Sequence, residues 1–213
     1  MTYLLHRRDP HNTGDWNCGP GQYFAFPDPV ELDITRIREI SPNQNDLLIL
    51  GGGGMLGIFD AEMEIARSLP CRKVLWGVGG NKVGEEQDDY DTSWADLEGR
   101  RDKEPFLPCV SCMNPVWDMD VPVVREWTEI EHHSVRFGAP LNNSASIRKI
   151  AFEILSAEKV RTTSYHVAYW AHLMGREVDV PDKWSSKFHS MRPVRLEEAR
   201  RLNREFYRKV QNL

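Results

Sequence analysis

A chain of 213 residues with 40% hydrophobic and 28% charged side chains can build one large or two small packed domains, and is too apolar for extensive disorder. Its net charge of −5 argues against general nucleic-acid affinity, which rests on excess Lys and Arg. No run approaches the roughly 20 apolar residues that a membrane-crossing helix needs, so no integral membrane segment is expected. Four cysteines without an export signal point to reduced thiols and a cytoplasmic location.

Thr2 to Arg7 reads as a first, partly polar strand, and Asp9 to Gly21 as a loop dense in turn formers. Asn12, Gly14 and Asp15 fall where a strand-to-helix loop opens at the C-terminal edge of a parallel sheet, the edge at which open α/β folds bind ligands. The alternative is that Asn12 and Asp15 only cap or turn nearby backbone. Val30 to Ile37 alternates apolar with polar, as a strand or the start of a short helix. Leu47 to Leu50 is aliphatic without interruption, the pattern of a strand buried on both faces. Four glycines follow, where the strand is expected to turn into a helix over Ile58 to Leu69, stopped by Pro70. Gly52, Gly53 and Gly54 then offer bare backbone beside a helix N-terminus, a natural seat for an anion. A tight, ligand-free turn is the alternative.

Val74 to Trp76 repeats the logic, a strand whose glycines bring Gly79 and Asn81 to the same edge. The acidic run with Glu85, Glu86, Asp88, Asp89 and Asp91 reads as a solvated loop, with a hard-cation site as the alternative. Trp94 to Arg101 suits another strand; Arg101 offers a planar fork for a carboxylate or phosphate, or else forms a surface Arg–Asp pair. Cys109 and Cys112 form a lone Cys-x-x-Cys and are read as buried or pocket-lining thiols; Cys18 and Cys71 stand isolated in the sequence, so no metal or cofactor is expected.

Asp118 to Arg125 looks like a crossover between halves. Thr128 to Val135 then reads as a strand whose His132 and His133 point to opposite faces, unable to share one site without a bend. Ser144 or Ser146 caps a helix with Ile147, Ile150, Ala151, Ile154 and Leu155 on one face. Val160 to Thr163 is a strand, Ser164 to Met174 a helix ended by Gly175, and Glu177 to Val180 a strand, which together predict a second small parallel sheet. The boundaries are an N-terminal Rossmann-like domain over 1–122, a reduced C-terminal α/β domain over 123–194, and a helical tail over 195–213 whose apolar stripe docks back on the body. His166, in the first turn of its helix, would project into the cleft to hold a phosphate or act as general acid, the alternative being a cap or a satisfied packing residue; His172 faces elsewhere.

Six stretches in this order, Asn12-x-Gly-Asp15, Leu48 to Gly54, Leu75 to Asn81, Gly99 to Asp102, Leu107 to Met113 and Thr163 to His166, resemble the polysaccharide pyruvyl transferase family over roughly residues 3–120 and 128–180. The resemblance implies an α/β fold of two Rossmann-like parallel-sheet halves, glycosyltransferase-B-like, with a reduced second half. It also implies transfer of the pyruvyl group of phosphoenolpyruvate to two sugar hydroxyls of a glycan, giving a ketal. On that reading His166 holds the phosphate or acts as acid, Asp15 is the base, and Arg101 clamps the anion. Asn12, Gly14, Gly52, Gly53, Gly54, Gly79, Asn81, Ser164 and Tyr165 complete the substrate site. The family often has arginine where this chain has Ser164, and its members are longer at the front of the second domain. A homo-oligomer whose second copy completes the cleft is compatible with that shortening. The competing readings are a nucleotide-sugar glycosyltransferase and a non-catalytic glycan-binding remnant.

Overall fold

The computed structural model describes residues 1–84 and 89–213. Its strands form two parallel sheets. The first holds β1 (Thr2–His6), β2 (Pro29–Asp33), β3 (Leu47–Leu50), β4 (Gly53–Leu56), β5 (Arg72–Gly80) and β6 (Leu97–Arg100), with β2, β1, β3 and β5 side by side and β4 and β6 flanking the far end of β5. The second runs β10 (Glu177–Asp179), β9 (Ala157–Thr162), β7 (Arg125–Glu131), β8 (Leu141–Asn142). Every pairing in both sheets is parallel, as the alternation of strands and helices requires.

Burial follows the sequence pattern. Leu48 and Leu50 face α2 (Asp60–Ser68) and the 3₁₀ turn Ile34–Glu39, whose Ile34, Ile37, Met63 and Ala66 are buried there. Ile49, on the opposite face, joins Leu4, Val74 and Trp76 beneath the last helix, α5 (Leu196–Gln211). The tail therefore docks back on the body, as its stripe of Ala199, Phe206 and Val210 predicts. Trp76 Nε1 donates to Asn203 Oδ1 at 2.8 Å, and the Phe206 ring meets Trp76 edge-on at 5.0 Å.

In the second sheet α3 (Ile147–Leu155) and α4 (Tyr165–Leu173) cover one face. Ser146, not Ser144, caps α3 by accepting from Lys149 N, and Gly175 leaves α4 at φ +71°. The other face is solvated: Lys159 lies over the Trp127 ring at 5.2 Å, and Arg161 Nε donates to Asp179 at 2.7 Å. Charged ladders thus cover a face that parallel sheets usually bury beneath helices.

Two expectations need correction. The glycine run does not lead into a helix. The chain kinks at Gly51 and Gly52, takes φ +100° at Gly53, and resumes as β4, with Gly53 opposite Val78 and Gly54 opposite Gly79 on the long β5. Met55 and Leu56 are buried, so the apolar pattern carries the strand past the glycines, and the helix begins only at Asp60. Likewise β7 stops at Glu131, whose carboxylate accepts from the N–H groups of Phe137, Gly138 and Ala139 and turns the chain. His132 and His133 lie beyond the strand, where two-residue alternation no longer holds, and their ring centroids are 4.3 Å apart. In the acidic run, Glu85, Glu86 and Asp88 lie outside the described residues; Asp89 pairs with Lys103, and Asp91 accepts from Ser93 N.

Candidate functional site

The carboxyl ends of both sheets face one cavity of about 240 Å³. The loop after β1 brings Asn12 and Asp15, the end of β4 Gly54 and Met55, the end of β5 Asn81, and the end of β6 Arg101. From the second sheet come His132 and His133 after β7, and Ser164, Tyr165 and His166 after β9. The segment 184–188 crosses back to the first half through a Val83–Ser185 bridge, adding Trp184 and Lys187.

Asn12 is both cap and wall. Its side-chain oxygen accepts from Gly14 N and Asp15 N at the start of α1 (Thr13–Trp16), and its amide donates to Asp15 Oδ2 at 2.9 Å. The Asn143 amide donates to Asn12 Oδ1 at 3.0 Å, tying this loop to the second half. Asn81 accepts from Ser185 Oγ at 2.7 Å. In the Gly99 to Asp102 stretch the Arg–Asp pair is Arg100 with Asp102, at 3.0 Å and buried. Arg101 turns instead to the cavity and lies 4.0 Å over the Tyr165 ring. Its Nη1 is buried without a hydrogen-bond partner among the described residues.

Of the remaining sequence-derived candidates, Gly14, Gly52, Gly53 and Gly79 stand one layer behind the wall. A Cβ on Gly14 would lie 2.2 Å from His166 Nδ1, one on Gly52 3.3 Å from Cys109 Sγ, and one on Gly79 2.7 Å from Arg101 Nε. These glycines make room for neighbouring side chains. Gly53, with nothing closer than 3.8 Å, serves the kink through its positive φ.

His166 is 5% exposed and reaches two environments. Its Nδ1 is 3.8 Å from Asp15 Oδ1. Its Nε2 points away from the cavity, 3.1 Å from Cys18 Sγ and 3.7 Å from Cys109 Sγ. The two sulfurs are 3.4 Å apart, and Ser111 Oγ donates to Cys109 at 3.2 Å. Burial raises the Cys18 thiol well above its ordinary value, and the hydrogen bond with Cys109 raises it further. Burial acts the same way on Cys109, but there hydrogen bonds to Cys18 and His166 prevail and hold it well below. Cys112 is buried elsewhere, beside Asn203.

The electrostatics of the cavity favour an anion. Burial and the nearby Arg101 charge push the Lys187 amine down to about 7, against the pull of Asp15. Its ammonium lies 4.1 Å over the Trp184 ring, with no salt bridge to a described residue. Burial raises the Asp15 carboxyl, opposed by His166, Lys187 and Arg101. Burial and then the Lys187 charge push His132 down to about 3. The sequence does not mark Lys187 or Cys18 as site members: Lys187 sits in a short 3₁₀ turn, Ser186–Phe188, outside any motif, and Cys18 stands 91 residues from its partner Cys109.

No family model matches the sequence, and no curated protein matches it. Among solved structures, the chain is similar to an uncharacterized protein from Klebsiella pneumoniae subsp. pneumoniae NTUH-K2044, with 15% identity, 89% of this chain and 88% of that one covered, and a TM-score of 0.50. That likeness shows the fold: a Rossmann-like α/β protein built on parallel sheets.

Proposed function

We propose that the protein transfers the pyruvyl group of phosphoenolpyruvate to two hydroxyls of a glycan, on a glycosyltransferase-B-like arrangement of two facing sheets. The observation that carries the reading is the pair Arg101 and Lys187. Two cations are buried at the wall of one cavity, and neither is in a salt bridge with a described residue. Leaving such charges unanswered is costly, so a multiply charged anion is the ligand that fits. A molecule with both a carboxylate and a phosphate suits them. The guanidinium fork takes the carboxylate, while the ammonium and the N-terminal N–H groups of α4, which has no side-chain cap, take the phosphate. The cation that the family often carries at the position of Ser164 is here replaced by these two.

Ketal formation makes two acceptor O–C bonds at the enol carbon bearing the phosphate and breaks the bond to that phosphate. One hydroxyl proton ends on the new methyl group and the other on the departing phosphate. Asp15, its carboxyl raised by burial, is the base for a hydroxyl, and His166 Nδ1 stands beside it to steady the phosphate or supply a proton. Four free thiols fit a cytoplasmic enzyme.

Thermal melting with phosphoenolpyruvate and with a panel of nucleotide sugars tests this, because a ligand that prefers the native state must stabilise it. Phosphoenolpyruvate is expected to raise the melting temperature of the wild type, much less that of Arg101→Met or Lys187→Met, and to release phosphate when a glycan acceptor is added. Stabilisation by a nucleotide sugar without response to phosphoenolpyruvate overturns the reading in favour of a glycosyltransferase; binding without phosphate release across an acceptor panel favours a non-catalytic glycan-binding protein.

A further inference from the structure

Behind the anion cavity, Cys18, Cys109 and His166 present Sγ, Sγ and Nε2 within 4.8 Å of one another. All three residues are buried. They come from three distant places: the loop after β1, the stretch after β6, and the first turn of α4. Two are contributed by the first half and one by the second. We propose that these three side chains bind a thiolate-preferring d¹⁰ metal ion, Zn²⁺, which pins the two halves together directly beneath the anion site.

The chemistry of the donors selects the metal. Two thiolates and an imidazole suit Zn²⁺ and exclude the hard cations that take oxygen ligands. The geometry is nearly in place. Zn–S bonds of about 2.3 Å and a Zn–N bond of about 2.0 Å in a tetrahedron put sulfurs roughly 3.8 Å apart and sulfur and nitrogen roughly 3.5 Å apart. The separations here are 3.4 Å for the sulfurs and 3.1 and 3.7 Å from nitrogen to sulfur. Side-chain shifts of about half an ångström admit the ion at its bonding distances.

The surroundings have the features of a metal shell. A ligating imidazole ordinarily donates its other ring N–H to a carboxylate, and Asp15 Oδ1 stands 3.8 Å from His166 Nδ1. Ser111 Oγ donates to the Cys109 sulfur, as hydrogen bonds to metal thiolates do. Gly52 packs its bare Cα against both cysteines: a Cβ there would lie 3.3 Å from Cys109 Sγ and 3.5 Å from Cys18 Cβ. A water completes the tetrahedron as the fourth ligand. On binding, the two thiols give up their protons to solvent and the imidazole binds as the neutral ring.

The test uses the full-length protein, reduced with a non-chelating phosphine, stripped with a chelator and titrated with Zn²⁺ or with Co²⁺ as a spectroscopic stand-in. One ion per chain is expected, with sulfur-to-cobalt charge-transfer absorption in the near ultraviolet and a higher melting temperature for the loaded protein. Cys18→Ala and Cys109→Ala, checked for native circular dichroism, should each lose the charge-transfer band and most of the affinity. Cys71→Ala and Cys112→Ala should keep both, and Asp15→Asn should weaken binding about 10- to 100-fold. Absence of the band in the wild type, or stoichiometric binding that survives both Cys18→Ala and Cys109→Ala, overturns the proposal. Neither result bears on phosphoenolpyruvate binding, which is read separately by its own melting shift.

Discussion

Gly14 is fixed by its neighbour. The imidazole of His166 occupies the space where a side chain on Gly14 would be, with Nδ1 only 2.2 Å from the missing Cβ. Gly14→Ala is therefore expected to push the ring out of register with Asp15 and to destabilise the fold by about 1–3 kcal/mol through overpacking. Urea denaturation reads the stability, and the melting shift with phosphoenolpyruvate reads the site; an unchanged protein on both counts would show that the ring moves freely. The same reasoning explains how much of the site could be seen in the sequence. A glycine at a strand end announces that something comes close, and Gly14, Gly52, Gly54 and Gly79 all have such a neighbour: His166, Cys109, Asn81 and Arg101. Sequence identifies the bare position but not the visitor, because a packed side chain and a bound anion demand the same absence of Cβ. Lys187 carried no signal at all, since its role depends on a loop crossing between the halves.

Among the elements, α5 was legible and the glycine strand was not. The stripe of α5 repeats at helical spacing, and that pattern survives whatever it packs against. The β3–β4 passage failed as a reading because four glycines have no side chains from which a period could be counted, and the continuation through Met55 and Leu56 is too short to stand out. One polar residue on the buried stripe of α5 has a definite task. Asn203 is fully buried, accepts from Trp76 Nε1 at 2.8 Å and donates to Pro108 O at 3.2 Å. Asn203→Leu leaves the indole N–H and the Pro108 carbonyl without these partners in an apolar setting, which costs about 1–3 kcal/mol for an unmade buried hydrogen bond. The neighbouring exposed Arg204 provides the control, since Arg204→Leu should change stability by no more than about 0.5 kcal/mol. Chemical denaturation of both variants decides it; equal stabilities would mean that α5 holds through its apolar contacts alone.

At the scale of the whole molecule, two sheets aim their carboxyl edges at one space, and the segment carrying Trp184 and Lys187 closes it. The two-sheet plan could be read from the order of strands and helices. The sign of the field inside could not, because the chain as a whole is negative, at −5, while the buried cations Arg101 and Lys187 meet only through the fold. This arrangement makes anion binding pH-dependent in a predictable direction. Burial, followed by the Arg101 charge, brings Lys187 down to about 7, so the ammonium that attracts the anion is lost as pH rises through that value. For the empty protein the sign is opposite. Between about 7 and the ordinary lysine range near 10.4 the unfolded chain holds the proton more tightly, so stability rises with pH there. Affinity for phosphoenolpyruvate should consequently fall by up to about tenfold per pH unit above 7 in the wild type, since each proton lost from the free site must be regained on binding. Lys187→Arg keeps its charge and should be flat over the same range, whereas Lys187→Met should be weak throughout and equally flat. Isothermal titration from pH 6 to 9 in two buffers of different ionisation enthalpy measures both the affinity and the proton taken up. A wild type as flat as Lys187→Arg would place the controlling charge on Arg101 alone.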